Sequence, residues 1–227
     1  MQFFILVLLA CFIVFLFSVY RLTHEDFVLL RKDVPTEQVF NVAFLTAFFA
    51  LLFARFFYVL IFPEKIFMSF LGFILFPYFP GLSLIGGILG GIVFLYLFCV
   101  SKKLPLGRIF DFYTIGLLAA MPFGYLGYML LAGYSFASLA SLIIFIVFLI
   151  MVIKFILPQT LIGEFKEGSL FLAFLLVYSL TTFLISIFFN GSPLSLDKEH
   201  VAVALFFVFS LALFLYQKLV SKRSIKK

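Results

Sequence analysis

Seven long apolar runs separated by short polar loops constrain the fold of this chain more than any other feature. A helix that crosses a hydrocarbon core of ~30 Å needs about 20 predominantly apolar residues. The runs that reach this length are Phe3–Tyr20, Val39–Phe62, Leu84–Val100, Ile109–Leu131, Phe136–Leu157, Ser169–Phe189 and Val201–Leu219. Since only 11% of the residues are charged, against about 25% in a soluble domain, we predict an all-α integral membrane protein. It has seven transmembrane helices in a single polytopic domain, residues 1–227.

An eighth apolar segment, Ile66–Phe79, is too short to cross the membrane and contains Pro77. Irregular backbone at membrane depth occurs only where protein or a wet cavity covers it. This segment therefore predicts a short re-entrant or interfacial piece between the second and third helices.

Lysine and arginine residues concentrate in alternate loops, and this distribution predicts the orientation. The opposite loops contain only Lys65 and Lys198, and Arg55 lies inside the second run. By the positive-inside rule the carboxyl terminus is cytoplasmic, and an odd number of spans places the amino terminus outside. The thirteen basic residues on the cytoplasmic side are Arg21, Arg31, Lys32, Lys102, Lys103, Arg108, Lys154, Lys166, Lys218, Lys222, Arg223, Lys226 and Lys227. This topology accounts for the net charge of +6, so nucleic acid is not predicted as a partner.

Arg55 and Tyr58 are the first candidates for a functional role. An arginine inside a membrane span is costly unless it faces protein, water or lipid phosphate, which indicates a site. The alternative is that the Arg55 side chain extends to the headgroups at the outer end of its helix. Tyr58 follows three residues later on the same helical face, either as a second site residue or as an interfacial aromatic.

A glycine-rich stretch, GLSLIGGILGG at 81–91, is the second candidate. Its small-residue spacing predicts close helix packing, and the alternative is that backbone amides approach a phosphate at the helix amino terminus. Asp111 is expected to cap its own helix or to pair with Arg108. In the outer half of the sixth run, hydroxyls either contribute to a site or bond back to their own helix; these are the hydroxyls of Tyr178, Thr181, Thr182 and Ser186.

Several kinds of catalytic centre have no counterpart in the sequence. His24 and His200 fall in loops on opposite sides, and Cys11 and Cys99 are isolated within apolar runs. Neither a Ser-His-Asp arrangement nor a metal-binding spacing is present. We therefore predict no metal ion and no cofactor.

Five motifs occur in the order found in one enzyme family: ARFFYVL at 54–60, GLSLIGGILG at 81–90, Asp111, GYLGY at 124–128 and YSLTTF at 178–183. They resemble five features of prolipoprotein diacylglyceryl transferases. In the same order, these are the second span, the GGLSFHGGLIG stretch, the Asp-x-x-x-Pro segment, the GRIGN signature and the late YGxxRFxxEFFR span. This family moves diacylglycerol from phosphatidylglycerol to the lipobox cysteine of prelipoproteins in the bacterial inner membrane. The resemblance implies that location, and phosphatidylglycerol and a prelipoprotein signal peptide as partners. The lipid-binding residues that it implies are Arg55, Tyr58, Ser83, Gly86, Gly87, Tyr125, Tyr128, Thr182 and Ser186.

The chain departs from the family pattern at its polar positions. Ile85 replaces the motif histidine, and Tyr125 and Thr182 replace two arginines. Tyr128 replaces an asparagine, and Ser186 replaces a glutamate. No catalytic group of the family is intact, whereas the glycines remain. Three hypotheses follow: a divergent but active transferase, a non-catalytic protein that binds phospholipid or lipopeptide, and a small transporter or other lipid-handling protein that resembles the family only in helix packing. Under the first two, Arg55, Tyr125 and Thr182 are expected to line a common lateral opening.

Overall fold

A computed structural model describes residues 2–24, 26–63, 67, 72–73, 81–162, 166–189 and 198–225. These residues form helices joined by short turns, and they contain no strand. The helices are α1 (Gln2–His24), α2 (Phe27–Arg31), α3 (Thr36–Ile61), α4 (Leu84–Ser101), α5 (Leu106–Ala132), α6 (Phe136–Met151), α7 (Leu157–Ile162), α8 (Ser169–Phe189) and α9 (Lys198–Ile225). A π-helical segment, Val152–Ile156, joins α6 to α7.

Within the described residues, five helices are long and apolar enough to cross a membrane. These are Phe3–His24, Thr36–Ile61, Leu84–Ser101, Leu106–Ala132 and Phe136–Thr160. Two shorter apolar stretches, Ser169–Ile185 and Val201–Leu215, lie in α8 and α9. The prediction of an all-helical, multi-pass membrane protein is confirmed. The predicted re-entrant segment Ile66–Phe79 lies outside the described residues, except for residues 67, 72 and 73.

Many large apolar side chains point away from the helix bundle. Leu130 and Phe136 are each 71% exposed, and Leu97 is 62% exposed. A soluble protein rarely leaves so much apolar surface in contact with water. The outer surface of the bundle is therefore suited to lipid.

Close helix pairs form where glycine removes a side chain. On α5, a Cβ at Gly127 would lie 2.1 Å from the Val7 side chain, and one at Gly116 would lie 3.0 Å from Phe15 and Val19. Contacts this short mean that α1 can approach α5 only because these positions are glycine. Gly127, in the GYLGY motif, thus serves helix packing.

A buried polar cluster joins several chain segments at one end of the bundle. Arg108 donates from Nε to the Asp26 carboxylate at 2.9 Å and from Nη1 to the Thr160 carbonyl at 3.0 Å. Asp111 accepts hydrogen bonds from the backbone N–H groups of Gly168 (2.8 Å) and Phe171 (3.0 Å). We call this group of five residue positions, Asp26, Arg108, Asp111, Thr160 and Gly168, the polar junction.

The polar junction corrects the expected role of Asp111. Its carboxylate caps the amino terminus of α8 rather than that of its own helix, and the ion-pair partner of Arg108 is Asp26. The physical reason is that the first N–H groups of a helix have no partner within that helix. The Asp111 carboxylate on the neighbouring α5 satisfies one of them, the N–H of Phe171, and also the N–H of Gly168 immediately before α8.

Candidate functional site

Arg55 is turned inward and holds backbone carbonyls. Its side chain is buried, and it donates from Nη2 to Gly72 O (2.8 Å), from Nη1 to Gly81 O (2.9 Å) and from Nε to Phe73 O (3.2 Å). Its guanidinium carbon also lies 4.7 Å from the centre of the Phe67 ring. Carbonyls at membrane depth need internal partners, and the planar fork of an arginine supplies several donors at once. The guanidinium therefore fastens the connection between α3 and α4.

The beginning of α4 is anchored to the same part of α3. The N–H of Ser83 donates to Ala54 O at 3.0 Å, and the Cβ of any side chain at Gly81 would lie 2.2 Å from the Tyr58 ring. Tyr58 thus packs directly on the backbone that Arg55 holds. Together these contacts fix where the amino terminus of α4 sits relative to α3.

The glycines of α4 divide into two sets with different surroundings. A Cβ at Gly86 would lie 2.5 Å from the Cβ of Phe57, and a Cβ at Gly90 would lie 2.2 Å from the Cβ of Phe53. These two positions serve close packing on α3, as the small-residue spacing predicted. A Cβ at Gly91, by contrast, would lie 3.6 Å from the Cβ of Ala50, which is an ordinary van der Waals distance.

The alternative prediction, amides that approach a phosphate, is not favoured by the hydrogen bonds at this helix start. The N–H of Gly86 donates to the Ser83 hydroxyl at 3.3 Å, and the N–H of Gly87 donates to Ser83 O at 3.0 Å. Ser83 is therefore the amino-terminal cap of α4. Both glycine amides already have partners inside the helix start.

An apolar cavity of about 370 Å³ lies between α1, α3, α4, α5 and α8. Gly87, Gly91 and Ser83 contribute to its wall on α4. Its other lining residues are Leu8, Cys11, Phe12, Phe15, Thr46, Ala47, Ala50, Leu51, Ala54, Leu82, Leu84, Ile88, Ile92, Leu95, Phe110, Tyr113, Thr114, Leu117, Ala120, Phe171 and Phe174. No charged side chain belongs to this lining, as far as the structure describes the chain. Its volume is in the range of ~300–1,000 Å³ that is usual for small-molecule pockets.

The hydroxyl groups in the cavity wall are largely engaged with backbone. Thr46 donates to Val42 O at 2.7 Å, and Tyr113 donates to Val39 O at 2.6 Å. Such bonds hide the polar atoms and leave methyl and ring surfaces toward the cavity. The cavity can therefore accommodate a hydrocarbon chain.

The predicted site residues on α5 and α8 lie elsewhere. The Tyr125 ring stacks on Phe145 of α6 at 5.6 Å, and Tyr128 is 56% exposed. The Thr182 hydroxyl donates to Tyr178 O of its own helix at 2.9 Å, so the predicted back-bonding alternative applies there. The Ser186 side chain lies outside the part of the chain that the structure describes.

The structure thus gathers five of the predicted residues, Arg55, Tyr58, Ser83, Gly86 and Gly87, where α4 begins against α3. None of Arg55, Tyr125 and Thr182 lines the cavity described above, so a common opening for these three residues stays a prediction. Arg55 is buried, and Tyr125 and Thr182 are each half-buried. Sequence reasoning missed the cavity walls on α1 and α5, because apolar side chains there look the same as lipid-facing ones.

A bundle of apolar helices around a cavity of hydrocarbon character defines a membrane protein suited to lipid. The family model of prolipoprotein diacylglyceryl transferase matches residues 2–132 of the chain, and the chain belongs to this family. No curated protein matches the chain. The matched residues run from α1 to the end of α5, which supply most of the cavity wall. The resemblance in the stretch 178–186 lies beyond the matched residues and stays a prediction.

Proposed function

We propose that this chain binds a diacylglycerol-bearing phospholipid with an acyl chain in the apolar cavity, and that it does not transfer the diacylglycerol. The apolar cavity, built mainly by the helices that match the family, is the observation that carries this proposal. Phosphatidylglycerol, the donor lipid of the family, is one lipid that such a cavity would take. A prelipoprotein signal peptide is the second partner that family membership supports.

The chemistry of transfer is the reason for proposing binding without reaction. The acceptor thiol must be activated as a thiolate, and positive charge must offset the charge that develops on the leaving phosphoglycerol. Arg55 already bonds three backbone carbonyls. Ile85, Tyr125 and Thr182 stand where the family resemblance places a histidine and two arginines.

An active transferase is the second candidate, and the family match over α1–α5 favours it. An assay of lipidation separates the two. The chain is produced in bacteria depleted of their own transferase, and the mobility and mass of a reporter prelipoprotein are followed. We expect the reporter to stay unmodified, while the purified chain retains phospholipid that mass spectrometry detects.

Re-expression of the endogenous transferase in the same cells is the positive control and must restore lipidation. A reporter that gains the mass of diacylglycerol in cells expressing only this chain would show that the chain is a transferase. Unmodified reporter together with a purified chain devoid of phospholipid would contradict lipid binding itself.

We further propose seven spans in one polytopic domain, with the amino terminus outside and the carboxyl terminus in the bacterial cytoplasm. The polar junction supports this topology, because it holds together the turn after α1, the start of α5 and the turn before α8. These are the loops that are rich in lysine and arginine. They lie at one end of the bundle, as seven alternating spans require.

Reporter fusions test the orientation. We expect green fluorescent protein fused after Lys227 to fluoresce, and alkaline phosphatase inserted at Gly133, in the turn after α5, to be active. The reverse pattern would overturn the proposed orientation. Active alkaline phosphatase at Gly133 together with a non-fluorescent fusion after Lys227, whose replacement there by alkaline phosphatase is active, would contradict the count of seven spans.

A further inference from the structure

We propose that the cavity selects its lipid by the length of one acyl chain, and that the headgroup contributes little to selection. This inference rests on the proposed lipid binding. It concerns which lipids are accepted and which residues set that preference.

The cavity is elongated along α4. Its lining on that helix runs from Ser83 to Leu95, and twelve residues of α-helix rise ~18 Å. On α5 the lining runs from Phe110 to Ala120, again along the helix axis. An apolar space of about 370 Å³ that is lined over this length fits an extended hydrocarbon chain better than a compact polar headgroup.

Aromatic rings line the cavity where it lies nearest the polar junction. Phe110 and Phe171 both belong to the lining, and their ring centres are 4.6 Å apart. Leu95, which is 2% exposed, lines the same end. A chain that enters near Ser83 would meet these side chains at its methyl end, so they limit the length that fits.

In the part of the chain that the structure describes, Arg55, Ser83 and the amide of Gly87, which could recognise a phosphate at the Ser83 end, have other partners. Arg55 bonds the carbonyls of residues 72, 73 and 81, and Ser83 accepts from the N–H of Gly86. The N–H of Gly87 bonds Ser83 O. A phosphate would have to replace one of these bonds, and it would lose its own hydration in doing so. Headgroup identity therefore has little influence on binding.

Acyl chains in a bilayer are already in an apolar environment, so hydrophobic transfer does not itself discriminate between them. Discrimination comes from fit, because overfilling or underfilling a packed apolar site weakens binding by about tenfold. Chain length, unlike headgroup, acts directly on that fit. This is why we expect selection by length.

Native mass spectrometry of the full chain in detergent tests the proposal. Phosphatidylglycerol and phosphatidylethanolamine with identical acyl chains are compared, and each is supplied with chains of 12, 16 and 18 carbons, roughly bracketing the ~18 Å cavity. We expect the two headgroups to bind within about twofold of each other, and the best and worst chain lengths to differ by about tenfold.

The variant Gly91→Leu places a side chain against Ala50 and Thr46, in the middle of the cavity wall. We expect it to weaken binding of the longest chain about tenfold and to shift the preference to the shortest. Val93→Leu, on the same helix but 48% exposed, is the matched control and should leave the preference unchanged.

Binding that depends on the headgroup and not on chain length would overturn this inference while leaving the proposed lipid binding in place. Absence of binding by every lipid would overturn both. Because the comparison of headgroups uses the unaltered chain, it decides the question even if Gly91→Leu does not fold.

Discussion

Replacing Arg55 with methionine is expected to lower the free energy of unfolding by on the order of 4 kcal/mol. Methionine keeps part of the aliphatic bulk but donates no hydrogen bond, so the carbonyls of residues 72, 73 and 81 lose a partner. Removing the donor from a buried acceptor costs ~1–3 kcal/mol, and water cannot replace the donor at membrane depth. Unfolding in mixed micelles, followed by circular dichroism or by a proteolysis assay, measures the loss.

Arg55→Lys should recover only part of the stability, because a single ammonium group cannot reach three carbonyls in the way a planar guanidinium does. Lys102→Met is the matched control: it removes a basic side chain at an exposed turn, and its effect should stay within about 0.5 kcal/mol. A stable Arg55→Met variant that has lost its bound phospholipid would contradict the structural role of Arg55. It would show that this guanidinium serves a lipid phosphate and not the backbone.

Breaking the polar junction is expected to have the next largest effect. The Asp26 side chain is fully buried against Arg108, so Arg108→Met removes the guanidinium that pairs with this buried carboxylate. Removing one member of a buried ion pair costs about 3–5 kcal/mol. The same unfolding assay in micelles measures this loss.

The double variant Arg108→Met/Asp26→Asn tests whether the two side chains act together. Asparagine keeps an oxygen that can accept from the N–H of Leu29, as Asp26 does at 2.9 Å, but it carries no charge. We expect the double variant to be less destabilised than the sum of the single variants by about 1–3 kcal/mol. Strictly additive effects would mean that the ion pair does not hold the junction together.

The helices could be predicted from sequence because the bilayer sets their length and their composition. The runs at 84–100 and 169–189 coincide closely with the observed α4 (Leu84–Ser101) and α8 (Ser169–Phe189). A membrane span needs only a sufficient length of apolar side chains, and that is visible residue by residue. The number of crossings follows less directly from such a pattern than the helices themselves, since α8 and α9 contain shorter apolar stretches.

The candidate site could be predicted only in part. The glycines of α4 were identifiable because a missing side chain has one main consequence, close approach. Arg55 was identifiable as important, but its partners are carbonyls at residues 72, 73 and 81, and no sequence pattern specifies which carbonyl a donor will reach. The role of an intramembrane charge therefore needed the structure.

The two tyrosines of α5 show a second limit. Tyr125 and Tyr128 stand where the family resemblance places an arginine and an asparagine, yet one stacks on Phe145 and the other is 56% exposed. In a soluble helix, polarity would reveal which face is buried. In α5 both faces of the helix are apolar, because lipid and protein interior have the same character, so the pattern could not show which side chains line a cavity.

Photolabelling with a phospholipid that carries a diazirine near the end of one acyl chain tests whether lipid occupies the cavity. After irradiation of membranes containing the chain, mass spectrometry locates the labelled residues. We predict adducts on cavity-lining residues such as Leu8, Ala50 and Leu117, with label there reduced in Gly91→Leu. Adducts confined to exposed outward-facing residues such as Leu97, Leu130 and Phe136, with none in the cavity, would contradict the proposed lipid binding.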